Sequence, residues 1–224
     1  VILAGGGVSQ ADALAEVKGI RKRIGTLGSK SLRQAVNRGE VGFLEGKSGK
    51  VAQYARRGYY GDIDVAVVEA AGINAKGRVI PGICVYDIPD WLELASAVIL
   101  EVNLRRPLAL EGAHDIYLPE PGRCIPLNHP LERIGSPHIP LDPAKVKHIV
   151  FSDLEERVIP SSPPGDKVRR IAGHIENFLK EERRKQGGLP PLEVGIGDAL
   201  NGFLSSLAES ELSSLVFFQA VVTD

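Results

Sequence analysis

Ile63-Asp64-Val65-Ala66-Val67-Val68-Glu69-Ala70 and Ala97-Val98-Ile99-Leu100-Glu101-Val102-Asn103 are short, almost continuous apolar runs. Strands covered on both faces take this form, because neither side of the pleat then calls for polar residues. Between the two runs, residues 78–83 read as another strand and residues 89–96 as a helix, with Pro89 in the first turn where its missing N–H is tolerated. Alternation of this kind predicts an α/β fold, an open and mainly parallel sheet flanked by helices.

Working outward toward the start, Val1-Ile2-Leu3-Ala4 reads as a buried strand and Gly5-Gly6-Gly7 as a turn. Ser9 can then cap a helix over residues 10–18, with Ala11, Leu14, Ala15 and Val17 as its apolar positions. Two more helices, over 29–37 and 48–57, stop at Gly39 and Gly58.

In the other direction, residues 105–143 turn to proline, glycine and histidine and lose all periodicity. A surface excursion of that length tends to be functional or to pack on another domain. Residues 146–152 give one more strand. Val158-Ile159-Pro160-Ser161-Ser162-Pro163-Pro164-Gly165 is the best linker, since its prolines neither extend a helix nor pair inside a sheet. The expected division is a first domain over 1–158, a linker over 159–165 and the start of a second α/β domain over 166–224. There Asp166 caps a helix reaching Gln186, with Val168, Ile171, Ile175 and Phe178 on one face, and Gly187-Gly188 ends it. Leu192-Glu193-Val194 starts a strand, Gly195-Ile196-Gly197 turns into a helix from Asp198 to Ala208, and residues 215–222 close as a strand, leaving this second domain incomplete.

Composition narrows the function. The 27 Lys and Arg nearly balance the 28 Asp and Glu, so no net field draws a polyanion, and nucleic acid is not an expected partner. No apolar run approaches the roughly 18 residues that cross a bilayer, so no membrane is expected either. Cys84 and Cys124 lack metal-ligand spacing and are too few for a disulfide framework, which favours a reducing compartment, with a single bridge left open. The five histidines, His114, His129, His138, His148 and His174, form no metal-binding pair at helical or hairpin spacing, and no metal is expected. There is no methionine, and both ends read as strands inside a fold; a fragment is expected, with a naturally methionine-poor protein as the alternative.

The glycine turns are the first chemical candidates. A strand, a glycine turn and a helix start together present backbone N–H groups that suit a phosphate, a carboxylate or an oxyanion. Gly5-Gly6-Gly7 and Gly195-Ile196-Gly197 both fit, although each can equally be a tight turn, and Asp198 would repel an anion at the second. The first lacks the full dinucleotide pattern. His114-Asp115 could orient a general base, but no partnered nucleophile is evident and a structural role is the stronger reading. Arg56-Arg57 and Arg105-Arg106 could meet a phosphate or an acidic partner, or simply be solvated.

Longer runs carry more. Residues 63–70, Ile80-Pro81, residues 98–103 and Leu110-Glu111-Gly112-Ala113-His114-Asp115-Ile116 are followed by Arg133-Ile134-Gly135-Ser136-Pro137-His138-Ile139-Pro140-Leu141-Asp142-Pro143, residues 145–150, the proline-rich hinge and residues 192–204 with Asn201. In these landmarks and their order the chain resembles the acetyl-CoA hydrolase/transferase family. This family of class I CoA-transferases includes succinyl-CoA:acetate and 4-hydroxybutyrate CoA-transferases. The similarity runs from inside the family's first domain into the opening of its second.

The resemblance implies a mechanism without metal, redox or covalently bound cofactor, with coenzyme A entering as the acyl-CoA substrate. A glutamate carboxylate attacks the thioester of an acyl-CoA such as acetyl-CoA or succinyl-CoA, and the released thiolate converts the resulting anhydride into a glutamyl-CoA thioester. A small acceptor carboxylate reverses the steps. Gly195, Ile196 and Gly197 match the family's oxyanion-binding turn, with Ile196 supplying its N–H, and a glycine-rich loop of the second half supplies another donor. The family's glutamate lies on the next strand, in a pattern that here reads Phe218-Gln219-Ala220-Val221-Val222-Thr223-Asp224. The offset from Ile196 to Ala220 is 24 residues (220 − 196) and fits the family without a gap. Ala220 cannot attack a thioester, Gln219 points to the opposite face, and Asp224 sits about 13 Å along the strand. The chain alone is therefore expected to be inactive.

Three readings stay open: a fragment or substituted form of a CoA-transferase, a non-catalytic subunit retaining an acyl-CoA-binding or partner surface, and an unrelated nucleotide-binding α/β module. The first implies acyl-CoA and small carboxylates as partners, the missing second half or a complementary subunit, a homodimer, and a cytoplasmic location, or a mitochondrial one in a eukaryote.

Overall fold

The structure, a computed structural model, describes every residue except 1, 6–9, 121, 130, 156–163, 196, 208–209, 213–214 and 218–224. Two compact units divide the chain: residues 1–124 with 134–155, and residues 125–133 with 156–224.

The first unit holds two sheets where the sequence suggested one. Strands β1 (Ile2–Gly5), β2 (Lys22–Gly25) and β3 (Gly42–Glu45) lie parallel in that order. The sequence pattern shows only the first, because four-residue strands such as Lys22-Arg23-Ile24-Gly25 carry no apolar run or alternation and form by pairing with their neighbours. The helix expected over 10–18 is a short 3-10 helix, Gln10–Ala15. It ends early because Lys18 turns to φ 54° and the Gly19 N–H bonds back to Leu14 O at 2.7 Å. The expected cap, Ser9, lies outside the described residues.

Helix α1 (Lys30–Asn37) follows the sequence closely: Ser29 Oγ accepts the Leu32 N–H at 3.1 Å, and Gly39 takes φ 73° just beyond the end. Leu32 and Ala35 pack with Ile20 and Val41 into a small core. Helix α2 (Ser48–Arg56) stops before Gly58 at φ 75°.

The second sheet has the order β5-β4-β6-β7, from strands β4 (Val65–Ile73), β5 (Val79–Pro81), β6 (Ala97–Asn103) and β7 (Val146–Ser152). β4, β6 and β7 are parallel, with helix α3 (Ile88–Leu94) in the crossover from β5 to β6. β5 runs antiparallel to β4 because residues 74–78 are too few for a crossover. Instead Asn74 Oδ1 accepts the N–H groups of Lys76 and Arg78, and Gly77 at φ 71° closes the turn. Ala66, Val68 and Ala70 lie beside Val98, Leu100 and Val102 in register, and all of these but Val102 form the main core with Leu92, Ala95, Val79 and Ile139. Each fully buried valine, leucine or isoleucine among them contributes about 1.5–3 kcal/mol.

The excursion after β6 is pinned at its ends. The Asp115 carboxylate accepts the N–H groups of Ile134 at 3.2 Å and Gly135 at 2.6 Å, and Ile116 bridges Ser136. Gly135 is required here, since a Cβ would lie 2.4 Å from the Ile116 carbonyl. Ile139 then pairs with Val79 in the core.

In the second unit, helix α4 (Asp166–Gln186) ends at Gly187 with φ 74°, as expected, but its N-cap is Gly165. Asp166 is the first helical residue and bonds Arg169 at 3.1 Å. The buried stripe is also rotated from the expected one. Ala172 and Leu179 are buried with Ile175 beside them, whereas Ile171 and Phe178 are 45% and 61% exposed. Helix α5 (Asp198–Leu207) sets this rotation through Gly202, where a Cβ would fall 2.3 Å from Val168 Cγ1. Of the two strands expected to flank α5, a single parallel bridge between Leu192 and Phe217 is present among the described residues.

Candidate functional site

Glycines gather where the strands of the first sheet end. Gly5 pairs with Gly25, Gly25 pairs with Glu45, and Gly46 follows directly. Gly25 turns at φ 107°, and a Cβ on Gly46 would lie 3.0 Å from Val51 Cγ2. The carboxyl edge of a parallel sheet beside helix N-termini is where α/β proteins present backbone N–H groups to ligands. Gly5 thus stands where the sequence put it, while Gly6 and Gly7 lie outside the described residues. Gly25 and Gly46 were missed because β2 and β3 were. The available signal was a glycine shortly before a capped helix, as in Gly25-Thr26-Leu27-Gly28-Ser29.

The second unit has its own glycine turn. Gly195 is exposed and Gly197 takes φ 151°, a conformation L side chains rarely adopt. The Gly197 carbonyl accepts the N–H groups of Leu200 at 3.0 Å and Asn201 at 2.9 Å, so the turn runs straight into α5 and its positive N-terminal end. Ile196 and Ala220 lie outside the described residues.

At the carboxyl edge of the second sheet a polar cluster replaces the glycines. Asn103, 2% exposed, donates from Nδ2 to Glu69 Oε1 at 3.3 Å and to Leu154 O at 3.0 Å. Arg106 Nε donates to the same Glu69 oxygen at 2.7 Å, and Arg105 pairs with Asp153 and Glu155. Arg56 pairs with Asp90 and Glu93. Three of the four arginines singled out as possible anion contacts are thus engaged by carboxylates of the chain itself. His114 and Asp115 do not act as a pair: His114 Nε2 meets Gly82 O at 2.8 Å, while Asp115 binds the Ile134 and Gly135 amides. Both hold loops in place. His138 Nε2 meets Glu111 Oε1 at 2.6 Å, and this bond holds the Glu111 carboxyl below the usual carboxylate range.

Cys84 and Cys124 are exposed and unbridged. Among the described residues, no helix is long and apolar enough to cross a membrane, and no three His, Cys, Asp or Glu gather as metal ligands.

The architecture is that of an α/β protein with mainly parallel sheets flanked by helices, whose glycine turns lie at helix starts. Residues 3–151 match the acetyl-CoA hydrolase/transferase N-terminal domain, and the chain belongs to that family. The acetyl-CoA hydrolase of Schizosaccharomyces pombe is 33% identical over 99% of this chain and 44% of its own length. The propanoyl-CoA:succinate CoA transferase of Escherichia coli is 30% identical over 93% of this chain and 44% of its own length. The chain therefore spans less than half the length of these curated relatives. Among solved structures, 4-hydroxybutyrate CoA-transferase from Porphyromonas gingivalis superposes with a TM-score of 0.54 at 18% identity, covering 93% of this chain and 47% of that one. RipA from Yersinia pestis gives 0.59 at 14% identity, over 99% and 52%. At these identities the two structures speak for the fold.

Proposed function

We propose that this chain is part of a CoA-transferase or acyl-CoA hydrolase that exchanges CoA between an acyl-CoA and a small carboxylate, and that as written it lacks the nucleophile. The observation that carries this reading is the family match over residues 3–151 together with the unbroken offset from Gly195-Ile196-Gly197 to Ala220. In the proposed chemistry a glutamate at position 220 would attack the thioester carbonyl, and the Ile196 N–H would stabilise the tetrahedral oxyanion. Gly197 at φ 151° and the α5 N-terminus support that role by exposing backbone at a positive helix end. The glycine-lined edge of Gly5, Gly25 and Gly46 supports the reading of Gly5, Gly6 and Gly7 as a carboxylate or phosphate loop. No covalently bound cofactor enters this scheme. The remaining domain boundaries, a homodimer, a second half or complementary subunit and a cytoplasmic or mitochondrial location belong to the same proposal.

The test restores Ala220→Glu in this chain joined to a complete second half, and follows exchange between acetyl-CoA and succinate with borohydride trapping of the glutamyl thioester. Exchange and a trapped adduct at position 220 are expected, and the absence of both would overturn the assignment. Ala220 itself favours a second reading, a non-catalytic subunit that keeps acyl-CoA binding. Titration calorimetry of the unaltered chain with acetyl-CoA separates the two, since saturable binding without turnover supports the subunit.

A further inference from the structure

Among the described residues, Asp12 and Arg23 are the charged side chains that are buried outright, and they meet as an ion pair, Arg23 Nε lying 3.2 Å from Asp12 Oδ1. Stability alone does not call for such a pair. Neither Asp12 oxygen accepts a hydrogen bond among the described residues, and apolar residues of similar volume often match or exceed the stability that a buried ion pair gives.

The backbone around the pair shows what it holds. Asp12 lies in the 3-10 helix Gln10–Ala15, on the stretch of chain that leaves Gly5-Gly6-Gly7. Arg23 lies on β2, two residues before Gly25, and Gly25 is the register partner of Gly5. The pair thus ties the segment leaving the first glycine stretch to the strand arriving at the second.

Arg23 also reaches the edge directly, because its Nη1 donates to Ile24 O at 2.7 Å. The Ile24–Gly25 peptide is planar, so a bond to its carbonyl sets the plane from which the chain turns at Gly25, φ 107°. Glycine has no side chain with which to hold that turn. A guanidinium is a rigid fork, and Asp12 beside Nε therefore sets where Nη1 points.

We propose that Asp12 and Arg23 are positioning residues of the glycine edge: Asp12 sets the guanidinium, the guanidinium sets the Ile24–Gly25 peptide, and the edge thereby keeps the shape that takes the acceptor carboxylate. This rests on the reading of Gly5, Gly25 and Gly46 as an anion-binding edge.

The test uses this chain with Ala220→Glu joined to a complete second half, with and without the double substitution Asp12→Leu and Arg23→Met. The apolar pair should keep the melting temperature of the parent and raise the KM for succinate about tenfold, with a much smaller change in kcat. A KM equal to the parent's, or one that rises only together with a lost melting temperature, would overturn the proposal. Should the double variant fail to fold, Arg23→Lys decides: it keeps the charge without the fork, and its KM should still rise, whereas an unchanged KM counts against the role. A parent without exchange activity defeats the functional reading instead. Calorimetric titration of succinate into the same proteins then decides the positioning role, with about tenfold weaker binding expected for the double variant. Equal binding overturns the positioning role alone, and no binding to the parent overturns the anion-binding edge with it.

Discussion

The two sheets of the first unit are held together by different means. The four-stranded sheet has strands of seven to nine residues in its centre and an aliphatic core of nine buried residues. The three-stranded sheet has strands of four residues, a core of four buried residues and a buried ion pair. In that pair Asp12 and Arg23 are 0% and 1% exposed, with Arg23 Nε 3.2 Å from Asp12 Oδ1. The approach satisfies charge but not hydrogen-bond alignment, for both Asp12 oxygens lack hydrogen bonds among the described residues. Sheets built on aliphatic area tolerate gradual loss. A small sheet whose strands end in glycines depends on single contacts, and the candidate ligand edge sits on that one.

The sharpest way to break the contrast is Arg23→Ala, which strands the Asp12 carboxylate in the interior. The expected cost is about 3–5 kcal/mol. Hydrogen exchange should show β2 losing protection while β6 keeps it; equal loss in both would mean that the sheets fold as one. The double variant Asp12→Leu with Arg23→Met should recover most of the stability in urea denaturation, because an apolar pair of similar volume avoids the desolvation of both charges.

In the larger sheet, Leu100→Ala removes a fully buried side chain and should cost about 2–5 kcal/mol, with loss of protection spread over β4, β6 and β7. A smaller effect is expected at the glycine-edged sheet from Ser29→Ala, which deletes the α1 cap: about 1 kcal/mol by thermal denaturation.

A partly exposed ion-pair contact joins α2, which touches β1 and β2, to α3 of the other sheet: Arg56 pairs with Asp90 and Glu93. Arg56→Ala should cost about 0.2–1 kcal/mol, since the pair is partly exposed. The hydrogen bond from Arg56 outweighs burial and holds the Glu93 carboxyl below its ordinary value. A depressed folded-state value means that the stabilisation is complete above the unfolded value of about 4.3 and fades as pH falls through the folded one. The difference between parent and Arg56→Ala should therefore shrink in acid melts below about pH 4. A constant difference would assign the effect to lost packing of the Arg56 stem.

Legibility followed the same division. β6 and β7 are readable to the residue because Ala97–Asn103 is almost continuously apolar and the β-branched and aromatic stretch Ile149-Val150-Phe151 marks β7. β2 and β3 are not, since a strand such as Lys22-Arg23-Ile24-Gly25 shows its character only when β1 and β3 lie beside it. For the candidate site, Gly5, Gly195 and Gly197 were legible as turns, while Gly25 and Gly46 joined them only through topology. The stripe of α4 was misplaced by one position because two apolar faces, through Ile171 and Phe178 or through Ala172 and Leu179, overlap at helical spacing. Packing against Gly202 selected between them.

The sequence by itself determined the family, the α/β alternation and the absence of a carboxylate at position 220, because these depend on residue identity and order. The tertiary structure decided the split into two sheets, the antiparallel turn of β5, the burial of Asp12 with Arg23 and the contrast between buried Ala66 and Val68 and exposed Val65 and Val67 on β4. Those are outcomes of which distant surfaces meet, and side-chain period along the chain carries no information about that.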